Sequence, residues 1–108
     1  MLLISNKLRG YLGLLKKGDY LVIGADNLKV YRKKLYMIIV PANCSKNINK
    51  VSMNVASKYD VPIIELSVDD LGESIGMNSC KILGVRNKGF CDAILANCKD
   101  EYKMLRGE

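Results

Sequence analysis

The sequence predicts an α/β fold in which helices cover both faces of a four-stranded mixed or mostly parallel sheet, a three-layer α/β/α sandwich. Strand-like apolar runs alternate with helical periodicity in units of about 20 to 25 residues. The longest apolar run, residues 35–42, is typical of a central strand covered on both faces. A length of 108 residues fits one domain, residues 1–108.

The amino-terminal half is predicted to contain two helices and two strands. Ser5 is a suitable cap for a first helix that ends at Gly18. A strand over residues 20–23, a short basic helix over 25–33 and a second strand over 35–40 follow. The apolar residues that give the first helix its periodicity are Leu8, Tyr11, Leu12 and Leu15.

Ser45 is expected to cap the third helix, whose apolar face ends shortly before Pro62. Residues 62–66 then form the third strand, because they are an apolar run of strand length. The residues on the apolar face of the third helix are Ile48, Val51, Val55 and Tyr59.

The carboxyl-terminal third is predicted to hold two more helices around the fourth strand. Ser67 and Asp70 have the spacing of a capping box for a fourth helix that ends at Gly76. Residues 80–85 form the fourth strand, and a final helix from Phe90 runs almost to the end of the sequence.

Charge is distributed unevenly along the chain. Residues 1–58 contain eleven Lys and Arg but two acids, a charge of +9, whereas residues 59–108 carry −3. The asymmetry predicts a basic patch, the electrostatic footprint of a nucleic-acid-binding protein. The alternative is that folding places acidic residues of the second half among the cations of the first half, so that no concentrated basic patch forms.

Composition argues against disorder, metal sites and a membrane span. With 49% hydrophobic and 26% charged residues the chain has globular values. Zinc sites need close ligand pairs, but the sequence has no histidine and no Cys-x-x-Cys, so we expect neither metal nor cofactor.

The amino-terminal apolar run 1–4 is too short for a signal peptide, and no apolar stretch approaches the roughly 20 residues of a membrane span. A cytoplasmic protein with reduced thiols is expected. Its cysteines are Cys44, Cys80, Cys91 and Cys98.

The groups that an enzyme needs are missing from the sequence. Without histidine the commonest general base is lost, and no nucleophile has an imidazole partner. Asp69 and Asp70 are adjacent, but at the predicted start of a helix they suit its dipole better than acid–base catalysis. Glycine-rich nucleotide-binding loops are also absent, so we predict a noncatalytic protein.

The stretch around Gly24 is the strongest candidate for a binding site. The apolar strand stops at this glycine and turns directly into the short basic helix, with Asp26 and Asn27 at its start. Helix starts leave backbone N–H groups unpaired, so the corner suits an anionic partner with polar edges. The cations that follow are Lys29, Arg32, Lys33 and Lys34.

The chain resembles the ribosomal-protein superfamily of archaeal L-seven-Ae and eukaryotic L-thirty-e, and within it the small bacterial members. The resemblance spans about residues 8–97 and depends on the order and spacing of several short motifs. They are Leu12-Gly13-Leu14, Lys17-Gly18, Gly24, Val61-Pro62, Asp70-Leu71-Gly72, Ile75-Gly76, Asn87-Lys88-Gly89-Phe90 and Ala93-Ile94. It implies an α/β/α sandwich around a four-stranded mixed sheet.

The resemblance also implies binding of structured RNA, either kink-turns or ribosomal RNA. Kink-turn binders of the superfamily use a Gly-x-Asn-Glu-x-x-Lys run at the start of the second helix. By position Gly24 matches the glycine, Asp26 and Asn27 the Asn-Glu pair, and Lys29 the lysine, one residue early. These departures favour general RNA binding over strict kink-turn recognition.

Two further groups of residues complete the predicted RNA site. Arg32, Lys33, Lys46 and Lys50 would contact phosphates. The loop Met77, Asn78 and Ser79 stands where kink-turn binders have an apolar loop that supports the bend.

The partners expected from the resemblance are ribosomal or other structured RNA, together with other ribosomal or assembly proteins. A ribosome constituent, an assembly factor and a regulator remain open. The alternative function is a protein–protein interaction module that kept the fold and lost RNA binding.

Overall fold

The computed structural model describes residues 4–107, and within them the chain forms a mixed α/β fold with a five-stranded mixed sheet and four α-helices. Apart from Ile4, the amino-terminal apolar run lies outside the described residues. The helices are α1 Asn6–Lys17, α2 Ala25–Val30, α3 Lys46–Tyr59 and α4 Lys88–Asn97. The strands are β1 Leu21–Ile23, β2 Met37–Pro41, β3 Ile63–Leu66, β4 Leu83–Val85 and β5 Tyr102–Arg106.

The strand order in the sheet is β1-β4-β2-β3-β5. β2 and β3 are parallel, whereas the β1–β4, β2–β4 and β3–β5 pairs are antiparallel. The carboxyl ends of β1, β2 and β3 therefore meet the amino end of β4 at one end of the sheet. This end, which we call the corner end, collects Gly24, the loop before α3 and the loop before β4.

Side chains that alternate along β2 belong to two separate hydrophobic clusters. Met37 and Ile39 pack in a cluster that includes buried residues of α1 and α4. Ile38 and Val40 pack in a second cluster with buried residues of α2 and α3. Because helical residues cover both sets, the strand is an uninterrupted apolar run rather than an alternating one.

The prediction of four strands is wrong, because a fifth strand replaces the end of the predicted final helix. α4 ends at Asn97, a 3₁₀ turn follows, and β5 pairs with β3. Along β5 half-buried and exposed residues alternate, the period of a strand with one covered face. The spacing of Cys98, Tyr102 and Leu105 fits a helix as well, and only the distant partner strand decides between the two.

The predicted fourth helix is also wrong and is reduced to one 3₁₀ turn, Gly72–Ile75. The capping box of Ser67 and Asp70 does not form, because the Asp70 carboxylate accepts hydrogen bonds from the N–H groups of Gly72 (2.7 Å) and Cys80 (2.8 Å) instead. The turn ends at Gly76, as the sequence predicts.

Candidate functional site

The corner at Gly24 has a backbone conformation that favours glycine. Gly24 lies at φ 90° and ψ 154°, a region that side-chain-bearing residues rarely adopt. Its N–H donates to the carbonyl of Ile82 at 3.1 Å, and its own carbonyl accepts from Leu28 N. Strand β1 can therefore turn into α2 without an intervening loop.

Asp26 and Asn27 are both exposed at the start of α2, and they differ in their use of hydrogen bonds. Asn27 Nδ2 donates to the carbonyl of Ile23 at 2.8 Å, which ties the first turn of α2 to the end of β1. One amide N–H is occupied in this way, and the amide oxygen is left as an acceptor. Asp26 does not cap the helix, since Gly24 holds the cap position.

The basic helix is shorter than predicted and divides the expected cations between two sides. α2 ends at Val30, since Tyr31 is extended and its carbonyl accepts from Tyr59 Oη of α3 at 2.9 Å. Lys29 borders a depression of about 190 Å³ between α2 and α3, together with Lys58. Arg32 and Lys33 lie instead on the β1 side of α2.

A groove runs along β1 on that side, and we call it the β1 groove. It has a volume of about 560 Å³ and combines an apolar lining with three cations. Its lining residues are Leu21, Val22, Ile23, Asn27, Val30, Tyr31, Arg32, Lys33 and Arg86. Sequence reasoning missed Arg86, because nothing places it beside α2 until β4 is paired with β1.

Arg86 is held over the aromatic wall of the β1 groove. Its guanidinium carbon lies 5.6 Å from the centre of the Tyr31 ring, within cation–π range. Arg86 Nη1 also donates to the backbone carbonyl of Asp19 at 3.1 Å. These contacts fix one rim of the groove.

Lys46 and Lys50 are exposed on the first turns of α3. The helix begins at the corner end of the sheet, where Ser45 Oγ accepts from Ile48 N at 3.1 Å, as the sequence predicts. α2 packs against the carboxyl-terminal half of α3, where Lys29 lies near Lys58 and Tyr59, and Lys46 and Lys50 are at the other end of α3.

The surface formed by α2, α3 and the segment after α2 is strongly basic, because its cations on both sides of α2 have no acidic neighbours in the sequence. No Asp or Glu occurs between Asp26 and Asp60. Within residues 4–107 the five ion pairs all use cations outside this stretch. We define the basic face as the seven cations of the stretch, and it keeps its charge uncompensated among the described residues. They are Lys29, Arg32, Lys33, Lys34, Lys46, Lys50 and Lys58.

The loop of Met77, Asn78 and Ser79 lies at the corner end, directly before β4, and its three residues are exposed. Ser79 Oγ donates to Asp70 Oδ2 at 2.8 Å, and Lys81 Nζ lies 3.1 Å from the same oxygen. Partial burial by itself raises the pKa of Asp70, but hydrogen bonds from Cys80, Gly72, Ser79 and Lys81 outweigh it and hold the pKa at about 2. The ionised carboxylate therefore keeps this loop in place.

The described residues contain no group of three His, Cys, Asp or Glu side chains that could hold a metal ion. The four cysteines are unpaired, and burial raises the pKa of Cys91 to about 11, so this thiol is protonated at neutral pH. Among residues 4–107 no helix is long and apolar enough to cross a membrane.

Comparison with known proteins finds similarity at the level of the fold. No protein-family model and no curated protein matches the chain. The chain is similar to a solved structure described as a protein with unknown function from Bacillus halodurans C, with a TM-score of 0.74 and 22% sequence identity. The match covers 85% of this chain and 96% of that one. At this identity the similarity shows the mixed α/β fold alone.

Proposed function

We propose that the protein is a noncatalytic, ribosome-associated domain that binds structured RNA, with the three-layer architecture of the L-seven-Ae and L-thirty-e superfamily. Alternate residues of β2 belong to two separate hydrophobic clusters, one with residues of α1 and α4 and one with residues of α2 and α3. This division supports the layered arrangement. The cytoplasm is the compartment in which such a protein meets its RNA.

The basic face is the observation that carries the proposal. Seven cations without acidic partners in the described residues concentrate on α2, on α3 and on the segment after α2. A face of this kind attracts the phosphate backbone, and release of condensed counterions drives the association. Lys29, Lys46 and Lys50 would contact phosphates on one side of α2, and Arg32 and Lys33 on the other.

The corner would supply the contacts that distinguish one RNA from another. Gly24 permits a close approach, Asn27 retains its amide oxygen as an acceptor, and Asp26 presents an exposed carboxylate that can accept from a guanine amine. The loop of Met77, Asn78 and Ser79 reaches the same end of the sheet and would support a bend in the RNA. Because the loop and the corner at Gly24 lie at the same end of the sheet, a kink-turn-like ligand is favoured within the wider class of structured RNA.

Alanine substitution of Lys46 and Lys50 tests the phosphate contacts. The double variant should bind a synthetic kink-turn hairpin and ribosomal RNA about tenfold more weakly, because two phosphate contacts are lost whatever the sequence. The control is the double variant Lys99→Ala with Lys103→Ala, which removes the same charge on and beside β5. Filter binding measures both, and equal affinities for the two variants would contradict the proposal.

The kink-turn question needs a change in the RNA rather than in the protein. Replacing the sheared G·A pairs of the hairpin by Watson–Crick pairs should weaken binding if the corner recognises the bend. Equal affinity for both hairpins would leave general binding of structured RNA and exclude kink-turn recognition.

A protein–protein interaction module is the second candidate, and exposed apolar side chains on α2 and α3 favour it. Val30 of α2 is 66% exposed and Met53 of α3 is 47% exposed. Capture of partners from a lysate with and without nuclease separates the two functions. Partners that disappear with nuclease support RNA binding, whereas partners that remain support the module.

A further inference from the structure

Within residues 4–107, strand β1 has an unpaired edge. It is the outermost strand of the sheet on its side. The Tyr20 carbonyl accepts from Arg86 N at 2.7 Å, and Gly24 N donates to the residue before β4 at 3.1 Å. Backbone groups alternate along an antiparallel ladder, so Leu21 and Ile23 direct theirs away from β4.

The unpaired edge offers a short and ordered set of hydrogen-bonding groups. Asn27 Nδ2 occupies the Ile23 carbonyl. The N–H and C=O of Leu21 and the N–H of Ile23 are then directed along the free edge. These three groups match the donor and acceptor pattern of one extended segment.

The β1 groove extends along this edge and surrounds it with apolar and positively charged side chains. Its walls include Ile23 and Val30, and Val30 is 66% exposed, unusually high for a large apolar side chain. Its rim carries Arg32, Lys33 and Arg86. Arg32 and Lys33 form no ion pair within residues 4–107, and the pair between Arg86 and Asp19 is 3.9 Å long with an almost fully exposed carboxylate.

We propose that the β1 groove binds an extended acidic peptide segment of a partner protein, which adds to β1 as a sixth strand. Main-chain hydrogen bonds to Leu21 and Ile23 would hold the segment, as in other cases of strand addition to an exposed sheet edge. Side chains on the α2 side of the segment pack against Val30. Carboxylates of the segment pair with the cations of the rim.

The edge itself favours a peptide over single-stranded RNA. The phosphate oxygens of RNA only accept hydrogen bonds, so a donor for the Leu21 carbonyl would have to come from a 2′-hydroxyl or a base, and these groups do not repeat with the spacing of a strand. A peptide backbone supplies a donor and acceptors at the spacing of the edge. The peptide would share Arg32 and Lys33 with the proposed RNA site, whereas Lys46 and Lys50 do not line the groove.

Binding is tested with a fluorescent octapeptide of alternating Glu and Val and the full chain, followed by fluorescence anisotropy and amide hydrogen exchange. We expect saturable binding, with exchange slowed at least tenfold at the amides of Leu21 and Ile23. Val30→Gln should weaken the affinity at least fivefold because it removes the apolar contact and keeps the charge. Met53→Gln, a change of another exposed apolar side chain, on α3, should leave the affinity within twofold.

Three control ligands test whether binding depends on backbone hydrogen bonds, on negative charge and on a peptide rather than RNA. The same octapeptide with N-methyl groups on both edges keeps its charge and should not bind; equal binding would overturn strand addition. An octapeptide of alternating Lys and Val should also fail, and its binding would overturn the role of the cationic rim. Oligouridylate that protects the Leu21 and Ile23 amides more strongly than the acidic peptide would assign the groove to RNA and overturn the proposal.

Discussion

At the scale of single residues, Asp70 connects three parts of the chain through one carboxylate. It accepts from Gly72 N, Cys80 N and Ser79 Oγ, and it pairs with Lys81. Because the charged form is hydrogen-bonded in the folded state, its pKa of about 2 lies below the ordinary value of 3.8. Ionisation of Asp70 therefore stabilises the folded protein.

Asp70→Asn should lower the free energy of unfolding at pH 7 by about 1–3 kcal/mol, because its amide nitrogen would face either the Lys81 ammonium or two backbone N–H groups, which only donate. The unfolded state takes up its proton near pH 4 and the folded state only near pH 2, so the contribution of Asp70 is present above pH 4 and is lost as pH falls toward 2. With the side chain 30% exposed, we expect the pH-dependent part of this contribution to the free energy of unfolding to be about 1–2 kcal/mol.

Urea unfolding at several pH values measures the contribution of Asp70 to the free energy of unfolding. The exposed neighbour Asp69→Asn should show no comparable loss, and a constant gap between wild type and Asp70→Asn from pH 7 to pH 2 would contradict the linkage.

Gly24→Ala should destabilise the protein by about 1–3 kcal/mol for a conformational reason alone. A Cβ at Gly24 would meet no atom within 4 Å, so the cost comes from the positive φ. Gly13 on α1 also has open space but an ordinary helical backbone, and Gly13→Ala should stabilise by about 0.5–1 kcal/mol. Opposite shifts of the two urea midpoints are expected, and a neutral Gly24→Ala would show that the corner tolerates a side chain.

At the scale of elements, α2 depends on one buried side chain and on the glycine beneath it. Leu28 is the buried residue of this six-residue helix, and isolated helices of that length are not stable in water. A Cβ at Gly84 of β4 would lie 2.7 Å from Leu28 Cδ2 and 3.1 Å from Leu35 Cδ2. Glycine at this position allows α2 to lie close to the sheet and fixes one wall of the β1 groove.

Gly84→Ala should therefore destabilise the protein by about 1–3 kcal/mol and loosen α2 in particular. Both leucines are buried and have little room to withdraw. Amide hydrogen exchange should become faster in α2 than in α3. Adding Leu28→Val makes space for the new methyl group and should restore part of the protection; exchange in α2 that stays at the wild-type rate would contradict this account.

At the scale of the whole molecule, seven of the 17 Lys and Arg residues lie on α2, on α3 and on the segment after α2. The net charge of +6 conceals a local excess, because residues 27–59 contain seven cations and no acid, whereas residues 59–108 carry −3. Long-range attraction of an anionic partner follows from such a distribution and is screened by salt.

The logarithm of the RNA association constant should fall linearly with the logarithm of the salt concentration. Each phosphate contact contributes a slope of about −0.7 to −0.9, so Lys46→Ala with Lys50→Ala should make the slope shallower by roughly 1.4 to 1.8. The variant with Lys99→Ala and Lys103→Ala should keep the wild-type slope. Titrations between about 50 and 200 mM salt measure it. A wild-type slope near zero would exclude phosphate contacts.

The sequence predicted those parts of the fold that local interactions determine. Ser5 and Ser45 cap α1 and α3 as expected, because a cap and the helix it starts are adjacent in the chain. β5 was missed because its pairing with β3 is not local. Among the site residues, the exposed cations were predictable from the charge pattern, whereas Arg86 enters the β1 groove only through the pairing of β4 with β1.

The position of β5 in the chain has a consequence for folding during synthesis. β5 follows all the other described strands in sequence and covers the edge of β3 with a four-residue register. Until the ribosome has released β5, the nascent chain exposes that edge of β3, which is apolar and able to pair with other chains. During synthesis the pairing of β5 with β3 thus comes after the other described strands have been made, and chaperone demand should be greatest just before it.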